Sequence, residues 1–318
     1  MNQLARPLKW GGGILLPIAA IIILIVVFSL LAPSFFQFST LIGILRESSV
    51  LLVVAIGMTF VVLMGSIDLS VGATVTLSAL VAATIAGSGN WLLAILAGLG
   101  VGILVGLVNG ILFAFVKVPS FLTTLGVSLA VGGVGLWFVN GRPVQIFEQG
   151  FTGISQGKLF GEIPLIAIWA LILWGIFSFV GQKTRFGRYT FAIGGAEAVS
   201  GLAGIPIKRM KLWVMVLSGA LAAAAGILLA SRVGAATPGM GDRLTLDSIA
   251  AVVMGGTALT GGVGGVHRTI LGVLVITTLT VGLNTLGVQP YLQQIVQGTV
   301  VVLAVALTLD RSKLSVIK

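Results

Sequence analysis

Lys183 to Lys211 reads KTRFGRYTFAIGGAEAVSGLAGIPIKRMK, and this stretch decides how the rest of the chain is laid out. It holds six of the eighteen basic residues, Lys183, Arg185, Arg188, Lys208, Arg209 and Lys211, and one acid, Glu197. The sequence on either side is almost uninterrupted hydrocarbon, so this long segment must be in water. Lys and Arg in short loops mark the cytoplasmic side of a membrane protein. Its middle, Ala196 to Leu202, is small and helix-competent, and Gly204-Ile205-Pro206 stops it. A short cytosolic helix set between two spans is suited to receiving a push from a soluble partner. An ordinary cytoplasmic loop would have the same composition.

Working outward, charged residues make up 8% of the 318 residues, where a soluble domain has about 25%. Apolar residues are 57% and the mean hydropathy is +1.17, more than a water-soluble fold of this length could hide. The expectation is an all-α polytopic integral membrane protein, one transmembrane domain over residues 1–318. Glycine, at 45 residues, is about double its usual share, as where helices pack backbone to backbone. Cysteine is absent, which excludes disulfides and thiolate chemistry, and one histidine, His267, cannot build a metal cluster; no metal site is expected. The net charge of +10 sits at span ends rather than in a groove, which points to the membrane and not to nucleic acid.

Read in order, the apolar run Gly11 to Leu31 exceeds a signal-peptide core and is taken as the first span. Further spans are expected near 49–65, 70–87, 91–116, 120–139, 164–182, 212–231, 248–262, 269–285 and 291–309, about ten in all. An even count puts both termini on one side. With them in the cytoplasm, the inner segments hold thirteen basic residues and three acids, and the outer segments five of each. That asymmetry follows the positive-inside rule. The polar segments Arg142 to Glu162 and Arg232 to Asp247 then lie outside. An internal echo pairs Met64–Gly72 with Met254–Gly262, with Ser70 opposite Thr260, as weak repeats in transporters do. Glycine-rich sequence also makes such matches by chance.

The residues exclude several chemistries. Gly153 to Lys158 has the wrong spacing for a phosphate-binding loop, and the glycines at 261–265 follow a membrane helix rather than a strand. Proton- and sodium-driven carriers keep buried carboxylates for the coupling ion, and Asp68 is the one candidate here. It precedes Leu69-Ser70 at a helix start, where an acid also caps free N–H groups. Energy is therefore expected from another chain, and an uncharged, hydroxyl-rich substrate suits a path of Ser, Thr, Asn and Gln.

At this point the residues resemble a family. Gly65-Ser66-Ile67-Asp68-Leu69-Ser70-Val71-Gly72 is similar to the GGIDLSVG of the permease subunits of ribose-type ATP-binding-cassette importers. The resemblance continues in Val118 to Gly126, in Thr184-Arg185-Phe186-Gly187-Arg188, and in Ala192 to Gly195 leading into Glu197-Ala198 and Gly204-Ile205. Leu246 to Thr257 is similar to the family's LDAIAAVVIGGT. Ala196 departs, standing where many members have Asn, and Arg268 stands where a small residue is usual.

The resemblance implies a multi-pass permease of the bacterial inner membrane. It would pair with a second permease copy and a cytoplasmic ATPase, and take a monosaccharide from an outer solute-binding protein. ATP and Mg would sit on the ATPase, and the permease would bind no cofactor and carry no enzyme site. Arg185, Gly187, Glu197, Ala198, Gly201 and Gly204 would couple it to the ATPase. Asp68, Ser70, Asn109, Phe121, Thr123, Thr124 and Asn284 are expected along the translocation path, and helix-packing hydrogen bonds are the other reading of the same polar groups. Related permeases carry nucleosides, branched-chain amino acids or signalling furanoses. A stand-alone carrier remains a further reading, and scattered polar groups argue against a membrane enzyme.

Overall fold

A computed structural model describes residues 14–308, so Arg6, Lys9 and the tail Asp310 to Lys318, which entered the charge count, lie outside the described residues. Helix α1 (Leu15–Leu31) ends before Pro33, and α2 (Phe38–Leu63) follows after one 3₁₀ turn. Helix α3 (Val71–Ala86) leads to α4 (Trp91–Ile111), where the Asn90 side chain accepts from Leu93 N at 3.0 Å and so caps the start. A π turn, Leu112–Val116, extends α4 and closes on Lys117 in the left-handed region. Then come α5 (Ser120–Phe138), α6 (Gln149–Gln156), α7 (Leu165–Lys183), α8 (Arg185–Gly195) and α9 (Glu197–Leu202). The order finishes with α10 (Ile207–Val233), α11 (Asp242–Met254), α12 (Val266–Thr285) and α13 (Pro290–Thr308).

Six helices are long and apolar enough to cross a membrane: α2, α4 with its π turn, α5, α7, α10 and α12. Helices α1 and α3 are shorter apolar helices. At 1.5 Å per residue α2 reaches about 39 Å but α11 only about 20 Å, against a hydrocarbon core of about 30 Å. The expected span at 248–262 is corrected accordingly: the helix begins at Asp242, stops at Met254, and the glycine-rich run to Gly265 is irregular. The outer connection expected to reach Ser48 is also shorter, because α2 already starts at Phe38.

Helices α2 and α10 form the centre. Every residue of α2 from Ser48 to Leu63 is buried, while α1, α5 and α7 turn many large apolar side chains outward, as lipid-facing helices do. Glycine explains the tightest contact. Gly98, Gly102, Gly106 and Gly110 form one stripe on α4 against α10, and a Cβ on Gly102 would overlap the Gly219 carbonyl. The backbones can approach only because no side chain stands between them.

The all-α expectation needs one addition, two pairs of two-residue strands. Strand β1 (Val144–Gln145) pairs antiparallel with β4 (Ala235–Ala236), and β2 (Lys158–Leu159) with β3 (Ile163–Pro164). The first pair joins the two polar segments read as separate outer loops. Ser155 Oγ donates to Leu228 O at 2.8 Å and Ser231 Oγ to Phe151 O at 2.7 Å, so α6 lies across the end of α10 as one plate.

The internal echo has a structural counterpart in a shifted register. Helix α2 ends with Gly65 N donating to Val62 O at 2.9 Å and Ser66 N to Val61 O at 3.1 Å. Helix α11 ends with Gly256 N to Val253 O at 2.9 Å and Thr257 N to Val252 O at 3.1 Å. Gly65 and Gly256 both take positive φ, as this C-cap requires. Thus Met64 corresponds to Gly255 rather than Met254. The two breaks also touch, Gly262 N donating to Leu63 O at 2.9 Å.

Candidate functional site

The expected cytosolic helix over Ala196 to Ala203 is α9, Glu197–Leu202, held between α8 and α10. Its chain leaves through Gly204, which takes φ +79° while Ile205 N donates to Ser200 O at 3.1 Å. Ala198 and Gly201 are exposed, and the apolar Val199 and Leu202 are 64% and 91% exposed. Glu197 is paired within the stretch: Lys211 Nζ lies 2.7 Å from its Oε1 and 4.7 Å from the centre of the Phe113 ring. Arg185 is exposed at the start of α8. Gly187 is buried and faces inward, where a Cβ would overlap the Gly181 carbonyl of α7.

The end of α8 meets the two breaks. A Cβ on Gly194 would overlap Leu63 O and stand 2.6 Å from Gly262 N, so three backbones meet without side chains between them. Displacing α8 must therefore displace the ends of α2 and the glycine-rich run, because close-packed backbone transmits shape changes.

Asp68 lies in the first break and is buried. Its Oδ1 accepts from Ser70 N at 2.9 Å and Ser70 Oγ at 2.6 Å, and its Oδ2 from Ser218 Oγ of α10 at 2.8 Å. Asn109 Nδ2 of α4 donates to Ser70 Oγ at 2.8 Å. Thr124 of α5 accepts from Leu69 N at 3.0 Å. Asp68 therefore does not cap the first turn of α3 as expected but holds the N-cap residue Ser70, and it ties this turn to α10, with Ser70 linking on to α4. Buried Asn109 Oδ1 has no donor among the described residues.

The remaining expected path residues separate. Thr123 is buried beside Val118 O, and Phe121 is half exposed at the start of α5. Asn284 is at the far end of α12, accepting from Gln293 Nε2 at 2.7 Å, apart from the Asp68 group. Among the described residues no group of three or more His, Cys, Asp or Glu side chains could hold a metal ion.

A second polar cluster went unread in the sequence. Arg232 Nη1 donates to Glu47 Oε2 at 2.9 Å and to Arg46 O at 3.1 Å, beside a cavity of about 180 Å³ that Arg243, Asp247 and Gln297 also line. Glu47, Arg232, Arg243 and Asp247 were each visible as an outer charge, but nothing local signals that α2, α10 and α11 bring them together, with Gln297 of α13 beside them.

Comparison with known proteins places this geometry. Residues 40–305 match the family described as branched-chain amino acid transport system / permease component. The chain belongs to that permease family. The ribose import permease protein of Escherichia coli K12 is 40% identical over 299 residues, 90% of each chain. That of Bacillus subtilis 168 is 41% identical over 300 residues, 93% of this chain and 92% of the relative. The galactose/methyl galactoside import permease protein of Salmonella typhimurium LT2 is 36% identical over 319 residues, 94% of each. No solved structure matches significantly. The permease is a mostly helical, multi-pass membrane protein.

Proposed function

We propose that this permease is the membrane-spanning subunit of an ATP-binding-cassette importer for a monosaccharide. Ribose and galactose import permeases at 36–41% identity over at least nine-tenths of the chain support that substrate class. In this reading about ten helices lie in the membrane, the short α11 (Asp242–Met254) standing in place of the span expected at 248–262, and both termini are cytoplasmic. A second permease copy completes the translocation path, and a cytoplasmic ATPase supplies the ATP and Mg. The Asp68, Ser70, Asn109 and Thr124 group stands beside that path, with Phe121 and Thr123 on α5 and Asn284 nearer its outer end. The plate of α6 with β1 and β4 receives the solute-binding protein.

The observation that carries the coupling role is α9. A six-residue helix that exposes Val199 and Leu202 to water is unfavourable in isolation, and covering it on a partner removes that cost. Glu197 with Lys211 fixes its base, and Gly204 sets its exit angle. The test is transport per ATP hydrolysed after reconstitution with the ATPase and binding protein. Leu202→Asp and Gly204→Val should leave the permease inserted but reduce sugar moved per ATP by about tenfold or more, since a residue other than glycine at positive φ is strained. Parent-like coupling in both variants removes α9 from the coupling role.

A further inference from the structure

We propose that the cavity between α2, α10, α11, α12 and α13 is a binding site for one neutral polyhydroxylated molecule of the monosaccharide class. The inference rests on the import reading above and adds to it a resting place on this chain, apart from the Asp68 group.

A lobe of about 180 Å³ lies beside a second lobe of about 580 Å³ between α11 and α13, and Arg243, Asp247 and Gln297 line both. Sites for small molecules run from about 300 to 1,000 Å³. Val50, Leu51, Leu229 and Ile276 give the inner lobe an apolar floor. Its polar groups are only partly used. Arg232 is spent on Glu47, and Gln297 Nε2 donates to Thr280 Oγ1 at 2.8 Å. Among the described residues Asp247 has no ion pair within 4.0 Å and accepts no hydrogen bond. The Gln294 amide, turned with its oxygen toward Arg243, accepts from Nη2 at 2.7 Å. That leaves both Asp247 oxygens and the Gln297 carbonyl oxygen as acceptors, beside guanidinium N–H donors.

The charge pattern selects the ligand. A cation in this space would face Arg232 and Arg243, and an anion would face Glu47 and Asp247, so each is repelled from one side. The four charges sum to zero. A sugar hydroxyl donates once and accepts twice, which suits alternating carboxylate, amide and guanidinium groups over an apolar floor. Asp247 is half-buried between the lobes, and two ligand hydroxyls would satisfy its carboxylate.

The experiment uses the full-length permease in lipid nanodiscs without its partners, titrated with D-ribose, D-galactose and L-leucine by saturation-transfer NMR. The complete importer is assayed in parallel for ATP-driven uptake of the same three solutes. Saturation transfer to a sugar but not to leucine, weakened about tenfold by Asp247→Ala, the loss of one charge-assisted hydrogen bond, and several-fold by Gln297→Leu, the loss of a neutral one, is the expected result. Should Asp247→Ala fail to fold, the isosteric Asp247→Asn keeps the volume and is read in its place. Sugar uptake without any saturation transfer, or transfer unchanged in these variants, overturns the site while the import reading stands. Uptake and binding of leucine alone would overturn both.

Discussion

Two polar clusters in this permease have similar ingredients and opposite states. Around Asp68 every carboxylate oxygen has a donor, and the donors come from the adjoining turn and from α10. Around Asp247 the carboxylate has no donor among the described residues, a cavity adjoins it, and the nearby Arg232 is occupied by Glu47. Asp68 is buried and Asp247 half-buried, and only the first carboxylate is compensated by hydrogen bonds. A compensated carboxylate at a helix junction holds the fold. An uncompensated one beside a cavity is where a ligand gains most by binding.

That contrast can be broken by substitution. Asp68→Ala should have the largest effect, because it strands Ser70 N, Ser70 Oγ and Ser218 Oγ in a buried place. A loss of about 2–4 kcal/mol is expected, read as a drop in melting temperature in detergent. A melt within one degree of the parent would mean that the cluster is not structural. Ser218→Ala removes one donor and should cost about 0.6–1.7 kcal/mol, the range for hydrogen bonds between membrane helices. If it costs as much as Asp68→Ala, the second carboxylate oxygen carries the whole cluster.

Asp247 should behave in the opposite sense. Asp247→Asn should lower the melting temperature by less than Ser218→Ala does, because no donor of the chain loses its acceptor. A drop as large as that of Asp68→Ala would show that this carboxylate also holds the fold. The smallest effect is expected for Glu47→Gln. Its pair with Arg232 has side chains 45% and 23% exposed, and such pairs contribute about 0–1 kcal/mol.

The comparison also shows what could be read without coordinates. Lys183 to Lys211 stood out because six basic residues cannot be buried in hydrocarbon, and α9 lies where Ala196 to Ala203 was read. Asp68 was legible as an acceptor at the start of α3, since an acid two residues before the N-cap Ser70 is a local signal, although it holds Ser70 rather than capping the first turn. Its bond to Ser218 was not legible, because 150 residues separate the partners. The repeat was legible in composition but one residue out of register, since Met64 and Met254 attract an alignment that the positive-φ glycines overrule.

By itself the sequence determined that the chain is a bundle of apolar helices, with its longest basic segment in water and backbone contacts paved by glycine. Hydropathy, charge placement and the conformational freedom of glycine are properties of short stretches, so they survive without a fold. Only the tertiary structure decided that Gly194, Leu63 and Gly262 meet, that the two polar segments around Val144 and Ala235 pair through β1 and β4, and that Glu47, Arg232, Arg243 and Asp247 surround one cavity. Those facts depend on which helices lie side by side, and packing between distant segments sets that through shape and depth rather than through any local pattern.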